Sequence, residues 1–421
     1  MAQEAGEEPV AEGAGSASLG ASFWRLWSAS TLSNLADGVI KVALPLVAVT
    51  LTESPAVVAG IAVAVTLPWL LFALPAGALA DRVDRRTAML VSNVARASAL
   101  VVLIATVLLG YESIWALYAV ALFLGSAETV YDTCAQSILP QAVPRERLSA
   151  ANGRLQAAEL TANEFIGPPL GGLLVATGVA VAVGTPAALW AVAVCVLLLV
   201  HGQFRIVRSK RTTIRADIAG GLRFLWRHRL LRTLAVVTAM YNFATNATFA
   251  VFVVYAVGPQ STLELNEAGY GLLLGAIAAG SLIGALVADR VERRLGPART
   301  MVVSLLGGVL TVSSPALTTE PLLIAAAFFT GGAISSLWNV VAVSLRQRIT
   351  PDRILGRVNS GYRLVAWGSR PLGAAAGGLI GETLGLRAVF ICAGILILST
   401  LLAMTTVTSA AITAAEQDTV H

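Results

Sequence analysis

Glu128 and Asp132 stand one helical turn apart in the stretch LGSAETVYDTC, residues 124–134, and Gln136 continues the same four-residue step. Two carboxylates on one face of a helix repel each other when both are ionised, so such a pair readily takes up a proton or faces a cation. Other ionisable residues recur at helical spacing. Asn34, Asp37 and Lys41 lie at i, i+3 and i+7, with Asp37 and Lys41 close enough to pair. Gln156, Glu159 and Asn163 form a stripe with Glu164 beside it, and Arg363 and Arg370 stand further along the chain. On this reading Glu128 and Asp132 are the leading proton-coupling pair, Asp37 and Glu164 come next, and Lys41 and Arg370 are cations that a deprotonated acid engages. Glu159 and Arg96 read as structural.

These charges gain weight from the elements that must carry them. The chain has 421 residues, 56% hydrophobic and 13% charged, with a mean hydropathy of +0.77. A water-soluble globule carries about 25% charged residues, so this is an integral membrane protein. An ionisable residue at membrane depth is costly and marks a pathway or coupling site by default. Apolar stretches long enough to cross a bilayer, about 20 residues each, number twelve: 24–50, 56–80, 88–110, 114–138, 154–177, 187–203, 232–257, 268–288, 300–317, 321–345, 359–381 and 387–409.

Charge placement orients them. With the N-terminus in the cytoplasm, the inner loops hold Arg82, Arg85 and Arg86, then Arg145, Arg147 and Arg154, then the basic run from Arg205 to Arg232. Arg290, Arg293, Arg294, Arg299, Arg346, Arg348, Arg353 and Arg357 follow on the same side. Arg387 faces outward among Glu53, Glu112, Glu264, Glu267, Glu320 and Glu382, a one-sided split that follows the positive-inside rule. The net charge of +5 therefore reflects topology, and nucleic acid is not an expected partner. Residues 1–22, small and acidic, read as a disordered cytoplasmic tail. Cys134, Cys195 and Cys392 lie within apolar spans without metal-ligand spacing, so no metal and no disulfide framework is expected.

The chain also repeats itself. ADRVDRR at 80–86 returns as ADRVERR at 288–294, each following the second span of a six-span half, and PRERLSAANG from Pro144 is echoed by PDRILGRVNS from Pro351. The expected organisation is a tail at 1–22, a six-helix bundle at 23–203, a basic linker at 204–231, a second bundle at 232–409 and a tail at 410–421. Two parallel halves of this kind enclose a central site near the membrane midplane.

GALADRVDRR, residues 77–86, resembles the signature that follows the second helix in the major facilitator superfamily, matching at Gly77, Leu79, Ala80, Asp81, Arg82, Arg85 and Arg86. Asp84 stands where the family has glycine, and the second copy has one extra residue between Gly284 and Asp289. GPPLGG, residues 167–172, resembles the fifth-helix signature of drug antiporters; with LSNLADG and VPRERLSAANG it points to the 12-helix branch of macrolide and siderophore exporters. The resemblance implies an all-helical fold of two pseudo-symmetric six-helix bundles, with the third helix and its Arg96 at the periphery, and a conformational latch at Gly77, Asp81, Arg82, Arg85 and Arg86, echoed by Asp289, Arg290 and Arg293. Gly167, Pro168, Gly171 and Gly172 offer backbone shape rather than side-chain chemistry: a bend and a close helix contact. Gly373, Gly377 and Gly381, with Gly280 and Gly284, read as ordinary tight packing.

Substrate-cavity candidates are Asn34, Tyr131, Tyr241, Asn242, Asn246, Trp338 and Asn339, aromatics and amides suited to a bulky, partly apolar molecule. The expected function is proton-coupled efflux of a hydrophobic or amphiphilic small molecule by alternating access, carried out by a monomer in a bacterial cytoplasmic membrane with both termini inside. No Walker sequence is present, so neither ATP nor a bound cofactor is expected. Three alternatives remain open. The same fold supports metabolite import or symport, and a transporter-like sensor would bind without flux. The Glu128/Asp132 pair also resembles the acidic clusters with which intramembrane prenyltransferases hold magnesium and diphosphate, but such enzymes need a second cluster and leave the duplication without a role.

Overall fold

In the computed structural model the described residues are 19–80, 82–144, 147–202, 204, 214–258 and 261–417. They form helices throughout. The first half comprises α1 (Gly20–Leu51), α2 (Pro55–Ala80), α3 (Arg85–Leu108), α4 (Ile114–Ala142), a fifth span and α7 (Val179–Leu198). The fifth span is composite: α5 (Leu148–Glu159), a π-helical stretch (Leu160–Ile166) and α6 (Gly167–Thr177). After α8 (Ile214–Arg227) the second half contains α9 (Arg229–Ala256), α10 (Glu267–Leu295), α11 (Pro297–Leu317), α12 (Pro321–Arg348), α13 (Asp352–Leu384) and α14 (Leu386–Met404), and a short α15 (Ser409–Gln417) follows.

All twelve expected spans are helical. Among the described residues, ten helices are apolar enough to cross a bilayer by length and composition alone. The fifth and eleventh spans fall short, one because the π stretch divides it and the other because it carries Arg357, Arg363 and Arg370. Several boundaries differ from the sequence reading. The sixth span starts at Val179, not near 187, because Pro186 is accommodated inside a continuous helix. Residues 20–22 belong to α1 and not to the N-terminal tail, since Leu19, Phe23 and Leu26 are buried against the first half. Residues 1–18 and 205–213 lie outside the described residues. The basic linker contains α8, and the C-terminal tail contains α15, whose Ile412 and Ala415 pack on the second half.

The duplication is visible in the turns. Gly178, between α6 and α7, and Gly385, between α13 and α14, are the single residues joining their helices, with φ of 139° and 87°. Positive φ of this size is open to glycine at little cost and closed to most side chains.

Packing separates two levels of the molecule. Toward the face opposite the chain ends, one continuous core joins Ile40, Leu44, Ile61 and Leu124 of the first half with Val251, Phe252, Leu273 and Phe390 of the second. Toward the terminal face the core divides. Phe23, Leu26, Tyr131, Ile138 and Phe204 cluster in the first half, while Leu234, Met301, Val341 and Tyr362 cluster in the second.

Candidate functional site

The π stretch explains how the fifth span presents its polar residues. Pro168 and Pro169 lack the amide hydrogens that an α-helix would donate to the carbonyls of Glu164 and Phe165, four residues back. The ladder widens instead, and the Gly167 amide donates to the Ala162 carbonyl, five residues back. The register shift falls on Asn163 and Glu164. Glu164 receives a hydrogen bond from Lys41 Nζ at 2.9 Å, and Asn163 Nδ2 lies 3.5 Å from Asn34 Oδ1, so α1 and the fifth span are joined by polar contacts.

Immediately after the π stretch, GPPLGG forms a seam. Gly167 lies against Gly38 and Gly171 against Val39 of α1, while Gly172 lies against Gly271 and Glu267 of α10 in the other half. Pro169 covers Gly275 of α10. A side chain on Gly172 would collide with backbone, which rigid helices do not readily yield. The second seam runs along α2 and α13. At the far face Ser54 Oγ donates to Glu382 Oε2 at 2.7 Å, and Gly378 lies against Ala56 and Ala59. Deeper, the rings of Trp69 and Trp367 meet edge to face with centroids 4.9 Å apart.

Asp37 and Lys41, expected to pair with each other, each take a partner on another helix. Asp37 Oδ1 accepts from Arg96 Nη1 at 2.7 Å. Arg96 Nη2 donates to Ser33 Oγ at 2.9 Å and to Asn93 Oδ1. The guanidinium is sandwiched 4.9 Å from the Tyr131 ring and 4.7 Å from the Trp190 ring, and Arg96 is 0% exposed. Its placement at the periphery is therefore corrected: α3 runs along the edge of the bundle, but this residue points inward to α1. Tyr131, 1% exposed, belongs to that buried cluster and not to a cavity wall.

Glu128 and Asp132 have no hydrogen-bond or ion-pair partner among the described residues, although both are within electrostatic reach of Asp37 and Arg96. Arg370 reaches Glu128 and Glu164 in the same way and stacks 4.8 Å from the Trp367 ring. Arg363 is the residue the sequence reading left without a role. Its Nη1 crosses between the halves to donate to Gln136 Oε1 at 3.0 Å. The one available signal was its register on α13, one turn before Trp367.

The second-half candidates hold their own bundle together. Asn242 Nδ2 donates to the Ala366 carbonyl at 2.7 Å, Asn246 donates back to Asn242, and Tyr241 covers Gly308. Trp338 is 7% exposed and donates through Nε1 to Thr238 at 3.0 Å, so it is a core residue and not a cavity residue, whereas Asn339 is exposed. The glycines of α13 and α10 pack as expected, Gly373 and Gly377 on α9 and Gly280 and Gly284 on α12.

The charged phrase is used differently in each half. Asp81 lies outside the described residues, Gly77 is helical with no side-chain surroundings described, and Arg82 is exposed. Arg85 donates to the Ser137 carbonyl, while Arg86 donates to the Leu197 and Leu198 carbonyls at 2.9 Å, so both fasten the start of α3 within its own half. Asp84 caps α3: Oδ1 accepts from the Thr87 amide at 2.9 Å and Oδ2 from the Phe204 amide at 2.8 Å. Partial burial pushes this carboxyl up, but the two amides and Arg86 outweigh it, and the group sits below the usual carboxylate range. In the second copy α10 runs unbroken past Asp289, Arg290 and Arg293, all exposed, and absorbs the extra residue. There Glu292, the counterpart of Asp84, lies 3.4 Å from Arg348 of α12.

The profile of the family described as transmembrane secretion effector matches residues 17–421. The multidrug efflux pump Tap of Mycolicibacterium fortuitum is 29% identical over 386 residues, covering 86% of this chain and 90% of that protein. The enterobactin exporter EntS of Escherichia coli O1:K1 / APEC is 27% identical over 339 residues, 80% of each chain. Among solved structures, a bacterial homologue of the iron transporter ferroportin in an inward-facing state superimposes with a TM-score of 0.72 at 17% identity, over 91% of this chain and 98% of that one.

Proposed function

The chain belongs to the transmembrane secretion effector family of major facilitator transporters, and from that premise we propose that it exports an amphiphilic small molecule in exchange for protons by alternating access. It is a multi-pass membrane transporter and not an enzyme. The divided core carries the alternating-access reading: one joined core at the far face and two separate cores at the terminal face are what a carrier closed on one side and parted on the other requires. The basic loops support a cytoplasmic terminal face, and on that orientation the parted side is the inward one, in a bacterial inner membrane.

Glu128 and Asp132 supply the exchange chemistry. Carboxylates that lack a protein partner hold either a proton or a cationic group of the substrate, and one occupant excludes the other. Substrate entering from the cytoplasm takes the deprotonated acids. After the halves rock, protons from outside displace it, and the protonated carrier returns. Lys41–Glu164 and Asp37–Arg96 fix the geometry of α1 against α3 and the fifth span while this happens. The names of the two exporting relatives support the outward direction. The carrier acts as a monomer, with no cofactor.

Energised inside-out vesicles test the exchange. Ethidium added to vesicles holding an acidic interior should release the quenched fluorescence of an acridine pH dye, as protons leave in exchange for the cation. Ethidium accumulation without proton release would refute coupling, and neither signal in any amphiphile tried would refute export of this class.

A further inference from the structure

The polar stripe of α4 ends in a contact that the exchange cycle does not need. Arg363, on α13 of the second half, donates from Nη1 to Gln136 Oε1 of the first half at 3.0 Å. Its guanidinium lies 4.3 Å from the Trp367 ring and 5.6 Å from the Trp69 ring, and those two rings meet edge to face across the same seam. The charged groups facing it are Asp132 of α4, Glu159 of α5 and Arg346 of α12. Glu128, Asp132 and Gln136 follow one another at four-residue steps, so the amide that holds the guanidinium stands about one helical turn, ~5.4 Å of pitch, along α4 from Asp132. Asp132 itself has no partner among the described residues.

Arg363 is therefore a permanent cation parked beside an unpartnered acid, on a neutral amide and two aromatic faces. An arginine in a protein keeps its proton. Its parking contacts are individually modest, a hydrogen bond from the guanidinium to a neutral amide and cation–π contacts with the two indoles. A flat or aromatic organic cation has the same two requirements, an acid for its charge and indole faces for its body.

We infer that Arg363 is an intramolecular competitor: in the empty carrier its guanidinium holds the aromatic and acidic place that a cationic substrate takes, and substrate binds by displacing it. Arg363 is thus a specificity-determining residue, opposing cations, which need both the acid and the indoles, more than neutral molecules. The inference rests on the export reading for its substrate, but it concerns binding alone and is tested without flux.

Equilibrium binding of tetraphenylphosphonium to the purified full-length carrier in lipid nanodiscs is the experiment. Arg363→Gln should tighten binding about tenfold, the scale of one displaced charged contact, while Arg363→Lys, which keeps the charge, stays within about threefold of wild type. Gln136→Leu removes the parking acceptor and lets Arg363 settle on Asp132, so binding should weaken. A bridge that merely holds the fold would shift both variants in the same direction. N-phenyl-1-naphthylamine, aromatic and uncharged, should change by less than about threefold across all four proteins. Weaker or unchanged cation binding in Arg363→Gln, equal tightening for the neutral probe, or no cation binding by wild type overturns the inference. Vesicle flux separates the two claims: neither accumulation nor proton release by wild type, with opposite-signed binding shifts in the two variants, would leave the competitor standing and refute export.

Discussion

At the scale of single residues, two buried or half-buried charges do work that spacing alone does not reveal. Arg96 looked peripheral because its helix is, yet it carries the Asp37 charge at 2.7 Å in the core of the first half. Removing one partner of such a pair leaves the other uncompensated, at a cost of about 3–5 kcal/mol. Arg96→Gln should therefore lower the thermal unfolding temperature in detergent sharply, and adding Asp37→Asn should restore much of the loss; equal stability of single and double variants would contradict the pairing. Asp84 is the other case. It stands where the family signature has glycine; its backbone is extended, φ −66° and ψ 121°, and it caps α3 while holding Phe204 at the start of the linker. Asp84→Ala should cost about 1 kcal/mol as a lost cap and speed hydrogen exchange at the Phe204 amide. Because this carboxyl is held below its usual range, its contribution is complete above the unfolded value of about 3.9 and fades only as pH falls through the lower folded one. Protection at Phe204 should accordingly be flat from pH 5 to pH 8 after correction for intrinsic exchange, and a step in that window would contradict the assignment.

At the scale of elements, the apolar periodicity disclosed every span, but backbone chemistry decided where the polar residues point. GPPLGG was legible as a bend and a close contact; that its prolines displace the ladder upstream, into a π stretch at Leu160–Ile166, follows from which carbonyls lose their donors. Returning one donor should undo it. Pro168→Ala would let the helix tighten by one residue, about 100° of rotation, and carry Glu164 away from Lys41; uptake should fall on the order of tenfold with expression unchanged. Gly172→Leu acts one turn further along the same helix, where Gly271 and the Glu267 carbonyl leave no room. It should hold the far seam open and abolish flux, and wild-type transport by this variant would show that the seam need not close. The pairing of Asp37 with Lys41 misled for a related reason: spacing along one helix says which residues share a face, not which neighbouring helix offers a nearer partner.

At the scale of the whole molecule, duplication, span count and charge asymmetry were all written in the chain, since each is a sum over many residues. The conformation was not, because it depends on which helices of the two halves meet at the seams. The core joined at one face and split at the other is the physical form of that choice. Tyr111, exposed and remote from the polar residues of α4, serves as the neutral control. The most direct test of the account is gradient-driven uptake of ethidium into inside-out vesicles by wild type, Glu128→Gln, Asp132→Asn and Tyr111→Phe. The expected result is uptake by wild type and Tyr111→Phe, and its loss in either acid variant at matched protein levels. Undiminished uptake by both acid variants would contradict the assignment of proton exchange to α4.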